Sequence, residues 1–184
     1  MKQILFVGRM LAQSLVLCAF FFRCANTAAL LSNKPAEGEA WQCTPCGNGC
    51  DKTSYNSAGK CPHCNMPLAR SSTIVFKTIE PSAICDYINK HPDVVLLDVR
   101  TKEEFERKAN PDFGTLKGAI NIPVQELESR LSGISNLKNK EIIVYCSHSH
   151  RSPQASYVLT QNGFTNVTNM AGGMSVLKDS PCKQ

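Results

Sequence analysis

The chain is expected to fold as an α/β domain, an open and mostly parallel sheet with helices on both faces, joined to a small cysteine-rich module. Three observations predict this. From Thr73 onward, strand-like and helix-like stretches alternate, which is the pattern of βαβ units. Residues 94–99 and 142–145 are near-continuous apolar runs, as expected of strands buried on both faces of a parallel sheet. Residues 41–68 are rich in Cys, Gly, Asn and Ser and carry almost no aliphatic side chains. Such a stretch cannot bury a core and needs a metal or disulfide staple. A length of 184 residues suits one ordinary domain with a small addition.

Taken in order, residues 1–29 read as an export signal. Lys2 and Arg9 form a positive start, residues 10–22 are apolar, and residues 25–29 are small enough for cleavage. The apolar stretch falls short of the roughly 20 residues of a spanning helix, so an uncleaved anchor is the second reading and lipidation at Cys24 a third. The protein is thus expected to be exported, periplasmic or membrane-associated on the extracytoplasmic side. Three of the 20 basic residues lie in this segment, which leaves 17 against 15 acidic ones. That balance forms no polybasic patch and excludes nucleic acid as an implied partner. Residues 30–40 read as a linker and residues 69–72 as a joint.

Within the main domain, residues 74–76 are expected to form a short strand and residues 81–90 a helix, with Pro81 in its first turn. Thr101 and Glu104 have the spacing of a capping box. Residues 119–122 read as a strand. Val124, Leu127, Leu131, Ile134 and Leu137 recur as one amphipathic helix. A helix opens at Ser152-Pro153, Gly163 can end it, residues 167–170 form a last strand, and Gly172-Gly173 turns into a closing segment.

Ligands of such sheets sit beyond the carboxyl ends of strands, and both Asp98 and Cys146 fall there. Cys146 ends the most buried-looking strand. A polar loop, Ser147-His148-Ser149-His150-Arg151, follows it, and then a helix start. Loop N–H groups and the helix N-terminus can converge on the sulfur and favour thiolate, the reactive form. Arg151 can offer charge-assisted hydrogen bonds to an anion, and His148 and His150 can add charge or carry protons. Solvated loop histidines are an equal reading of those two.

Of the ten cysteines, Cys18 and Cys24 fall in the first segment. Cys43-x-x-Cys46 and Cys61-x-x-Cys64 are two knuckles separated by fourteen residues. Four thiolates so spaced suit zinc or another soft or borderline metal, with Cys50 and His63 as substitute ligands. Disulfides are the alternative in an oxidising compartment, although five cysteines cannot all pair internally. Cys85 reads as a core residue on a helix. Cys182 reads as a spare exposed cysteine, with resolution of an oxidised Cys146 as its alternative.

In order and spacing, Leu96-Leu97-Asp98-Val99-Arg100, Glu103-Glu104-Phe105, Gly118-Ala119-Ile120-Asn121-Ile122-Pro123, the run from Cys146 to Ser152, and Gly172-Gly173-Met174 resemble the rhodanese-homology domain. The resemblance covers residues 73–182. It implies a sulfurtransferase whose nucleophile, here Cys146, carries sulfur as a persulfide. Ser147, His148, Ser149 and His150 with Arg151 would form the cradle, and Asp98 and Arg100 the strand-end pair that shapes the site. The donor would be a small sulfur-containing anion such as thiosulfate. The acceptor would be cyanide or a thiol, a protein thiol included, and the transfer would need no cofactor. Ser149 stands where the family's loop has Gly, and residues 108–117 replace its usual His before the Gly-Ala-x-Asn-Ile-Pro run. Related phosphatases place five residues between Cys and Arg. This chain has four, a ring better suited to one sulfur than to a phosphoryl group. Residues 41–68 resemble, more loosely, the short heavy-metal-binding domain found near bacterial metal transporters, which implies metal at Cys43, Cys46, Cys61 and Cys64. The reading from a different class is a metal- or redox-linked binding module on a rhodanese-like scaffold.

Overall fold

A computed structural model describes residues 39–184. The export segment and most of the 30–40 linker lie outside the described residues. Among the described residues, no helix is long and apolar enough to cross a membrane.

The cysteine-rich module is a three-stranded antiparallel sheet. Strand β1 (Trp41–Cys43) sits between β2 (Ser54–Tyr55) and β3 (Leu68–Arg70). Trp41 faces Tyr55 on one side and Arg70 on the other. The module's interior is Cys43, Cys50 and Cys61, with Cys46, Cys64, Met66 and Leu68 packed on them.

The main domain is a five-stranded parallel sheet. Its strands are β4 (Lys77–Ile79), β5 (Val95–Asp98), β6 (Ile120–Asn121), β7 (Glu141–Tyr145) and β8 (Asn166–Met170), in the order β4-β8-β7-β5-β6. The central position of β7 and β5 explains why they read as unbroken apolar runs. Side chains alternate through the sheet into two cores. One gathers Leu97, Ile142, Val144 and Cys146 with Ala155 and Leu159 of α4 (Arg151–Gln161) and Leu127 of α3 (Val124–Arg130). The other gathers Leu96, Ile143, Tyr145 and Met170 with Ile84 of α1 (Ile84–Lys90) and the closing segment. The capping box forms at Thr101 and opens α2 (Lys102–Phe105).

Four expectations need correction. The first strand is Lys77–Ile79, not residues 74–76. It is an edge strand paired only with β8, so two of its three paired residues, Lys77 and Thr78, are polar, and Val75 outside it is 65% exposed. The helix over 124–137 stops at Arg130 and tightens into a 3-10 helix, Leu131–Leu137, with Ile134 off helical geometry. Leu131, Ile134 and Leu137 are spaced by three, which is the 3-10 period, and all three still pack on the first core. Cys85 and Cys182, read as a core residue and a spare exposed thiol, form a disulfide across 97 residues, and Cys182 is buried. A link of that span removes several kcal/mol of chain entropy from the unfolded state, about 4 to 5 in the simplest estimate. It ties the closing segment to α1. That segment also pairs with the stretch before β6, where Thr115 and Gln184 exchange backbone hydrogen bonds at 2.9 and 2.8 Å.

Candidate active site and cysteine cluster

Strand β7 delivers Cys146 to the carboxyl edge of the sheet, and α4 begins five residues later. The residue is only 1% exposed. Burial alone would push its thiol up. The Ser152 hydroxyl, with Oγ 3.4 Å from Sγ, and the backbone N–H groups of Ser152, Arg151 and His148 outweigh that and hold the thiol below its ordinary value. The loop therefore wraps its amides around the sulfur, as its sequence suggested.

Two backbone features make this wrap possible. Ser149 takes the left-handed conformation at φ 60°, steadied by its hydroxyl donating to the Met170 carbonyl at 3.4 Å. Gly173 has φ 67°, and a Cβ there would lie 2.5 Å from the carbonyl oxygens of both Cys146 and Ser147. Glycine lets the closing turn donate from Met174 and Ser175 to those same carbonyls, each at 2.9 Å.

Asp98 and Arg100 were expected to shape the site as a strand-end pair. Both side chains have 0% exposure, so neither offers surface to a donor. Arg100 donates from its backbone N–H, Nε and Nη2 to the Asp98 carboxylate at 2.6–3.0 Å, and from Nη2 to the Gly114 carbonyl at 2.8 Å. Thr115 joins Asp98 to the Tyr145 hydroxyl. The pair locks the ends of β5 and β7, the strand that carries Cys146.

Arg151 is paired with a carboxylate. Both terminal nitrogens donate to the Glu104 carboxylate, Nη1 at 2.6 Å and Nη2 at 2.8 Å, and Ser147 Oγ donates to the same carboxylate at 2.7 Å. With a carboxylate this close, Arg151 is a clamp across the loop rather than an open hook for an anion. The exposed groups of the loop are His148 and His150. Glu104 was legible as a capping residue and as part of the Glu103-Glu104-Phe105 run, and its carboxylate does accept the Thr101 N–H at 3.1 Å.

Arg151 first, opposed by burial and aided by Ser147 and the Thr101 N–H, holds the Glu104 carboxyl down to about 2. A depressed carboxyl stabilises the fold above its ordinary value of 4.5 and loses that contribution as pH falls toward 2. Unfolding free energies measured by denaturant titration from pH 7 to pH 2.5 should therefore drop steeply below about pH 4.5, by on the order of 3 kcal/mol from this group. Glu104→Gln should lower the plateau at neutral pH and remove that part of the acid limb.

In the cysteine module the sulfurs of Cys43, Cys50, Cys61 and Cys64 lie within 4.8 Å of one another, so Cys50 takes the position the spacing suggested for Cys46. A tetrahedron with zinc–sulfur bonds of about 2.3 Å has edges of about 3.8 Å. The Cys50–Cys64 separation of 3.8 Å matches it, and the Cys43–Cys64 separation of 3.2 Å is shorter than it. Burial raises the Cys43 and Cys50 thiols. Burial acts in the same direction on Cys61, but the N–H groups of Cys64 and His63 and the Tyr55 hydroxyl overcome it and bring that thiol to about 6. Buried sulfurs this close cannot all ionise without a cation. Cys46 instead groups with Cys43, Cys50 and Asp51, and His63 joins neither set.

The cluster abuts the Cys146 loop. His150 Nδ1 lies 3.2 Å from the Cys46 carbonyl oxygen, and a Cβ on Gly47 would sit 1.8 Å from the Ser149 carbonyl oxygen. No sequence signal announced this contact, because it joins residues about a hundred positions apart.

Comparisons with known proteins agree with the geometry. The rhodanese-like domain family matches residues 85–180. The thiosulfate sulfurtransferase PspE of Escherichia coli is 36% identical over 78 residues, 42% of this chain and 68% of that protein. A sulfurtransferase of Allochromatium vinosum is 30% identical over 96 residues, 52% of this chain and 82% of that protein. The crystal structure of SSP1007 from Staphylococcus saprophyticus, 27% identical, superposes with a TM-score of 0.50 over 59% of this chain and all of that one.

Proposed function

Because this chain belongs to the rhodanese-like domain family, whose members include sulfurtransferases, we propose that it moves sulfane sulfur through a persulfide on Cys146. The observation that carries this is the convergence of three backbone N–H groups and the Ser152 hydroxyl on one buried sulfur. In the first step the Cys146 thiolate attacks the outer sulfur of a donor such as thiosulfate. The donor's S–S bond breaks and sulfite leaves with the electron pair. The new terminal sulfur carries the negative charge, which the loop amides are oriented to receive. In the second step cyanide or a thiolate attacks that terminal sulfur, the persulfide bond breaks, and Cys146 returns as thiolate. Two covalent half-reactions give ping-pong kinetics. His148 and His150, at the exposed rim, are the groups positioned to meet an anionic donor.

The test is mass spectrometry of the intact chain and of its tryptic fragments after thiosulfate treatment. One added sulfur atom is expected on the tryptic fragment holding Cys146, and it should be removed by cyanide with release of thiocyanate. A chain that takes up no sulfur from thiosulfate or any other sulfane donor favours the binding-module reading, which the 1% exposure of Cys146 supports.

We further read the four clustered thiolates Cys43, Cys50, Cys61 and Cys64 as ligands of zinc or another soft cation. An exported protein is consistent with the Cys85–Cys182 disulfide, which forms readily in an oxidising compartment, while cysteines held by metal escape that oxidation. Zinc per chain in native protein checks the first point, and cell fractionation the second.

A further inference from the structure

A single cation on Cys43, Cys50, Cys61 and Cys64 leaves two ligands unused beside it. Cys46 Sγ lies 4.0 Å from Cys43 Sγ, 3.5 Å from Cys50 Sγ and 3.2 Å from Asp51 Oδ1. Together these four form a second complete ligand set, again with every donor atom within 4.8 Å of the others. The two sets share one edge, Cys43 and Cys50. Separations of 3.2–4.0 Å are those of a tetrahedral coordination shell, whose edge is about 3.8 Å for thiolates.

We propose that the module holds two cations, one on Cys61 and Cys64 and one on Cys46 and Asp51, with the Cys43 and Cys50 thiolates bridging both. The proposal rests on the reading of the cluster as a metal site and adds its nuclearity. A thiolate sulfur has enough lone pairs to bind two metals at once. Asp51 is aimed for the task. Its oxygens accept the N–H of Cys46 at 3.0 and 3.1 Å and that of Gly47 at 2.7 Å, which turns the carboxylate toward Cys46 and still leaves it a free lone pair.

Charge supports the same assignment. One divalent cation on four thiolates has net charge −2. Two divalent cations on five thiolates and one carboxylate also have net charge −2. The second ion therefore uses every anionic group in the cluster without adding net charge to a site where Cys43 and Cys61 are each 1% exposed. Entry is provided by an open cavity lined by Asn48, Cys50, Thr53, His63 and Cys64.

Cobalt(II) reads the number directly. The full-length chain, demetallated and kept anaerobic, is titrated with Co²⁺ while thiolate-to-cobalt charge-transfer absorption and the electron paramagnetic resonance signal are followed. Absorption is expected to rise until two equivalents are bound. The resonance signal of the first ion should weaken as the second couples to it through the shared sulfurs. Cys46→Ser and Asp51→Asn should each saturate at one equivalent with an undiminished signal. Saturation of the unmodified chain at one equivalent overturns the proposal but leaves the single-metal reading intact. Two ions without magnetic coupling overturn the bridge. No uptake at all overturns the metal reading itself. The unmodified chain alone decides the outcome if either variant fails to fold.

Discussion

Cys146→Ser should bring thiosulfate-to-cyanide turnover to background, a loss of at least about a thousandfold, while the fold stays intact. Serine matches the shape of cysteine, so Ser152 and the loop amides keep a polar atom to face. The hydroxyl cannot ionise as the thiol does and cannot form a persulfide, so both half-reactions stop. The checks are thiocyanate release, the mass of the thiosulfate-treated protein, and a thermal transition within a few degrees of the unmodified chain. Turnover that survives in this variant would move the chemistry to another thiol, with the five cysteines of the module first in line. Loss of the thermal transition would instead mean that the sulfur is a packing element, and a Cys146→Ala variant separates packing from reactivity.

Asp98→Ala carries the largest expected stability loss, about 3–5 kcal/mol. Arg100 is fully buried, and its Nη1 already has no partner among the described residues. Without Asp98, the guanidinium keeps only the Gly114 carbonyl from Nη2. An uncompensated buried charge is far more costly than a missing hydrogen bond between neutral groups. Double replacement, Asp98→Leu with Arg100→Met, removes the orphaned charge and should restore much of the loss. Urea unfolding of the unmodified chain and the two variants measures this. A loss below 1 kcal/mol for Asp98→Ala would mean that water reaches Arg100 as the protein breathes.

What could be read from the chain in advance was what local pattern and burial dictate. The apolar runs at β5 and β7, the capping box at Thr101 and the strand-loop-helix around Cys146 each depend on neighbours in sequence, and each lies where it was expected. The misses share a different origin. Edge strand β4 is half exposed, so hydrophobicity marks its flank rather than its ladder. The choice of Cys50 over Cys46 depends on how the 3-10 turn Gly49–Lys52 folds back, which a spacing rule does not contain. Cys85 finds Cys182 only after the sheet has assembled. Glu104 serves α2, Ser147 and Arg151 at once, and a motif reveals only the first of these.

At Gly47 the cysteine knuckle meets the Cys146 loop backbone to backbone, against Ser149, while the His150 ring reaches the neighbouring Cys46 carbonyl. A party wall of that thinness has no slack. Gly47→Ala would place a Cβ 1.8 Å from the Ser149 carbonyl oxygen and so would force that loop to shift.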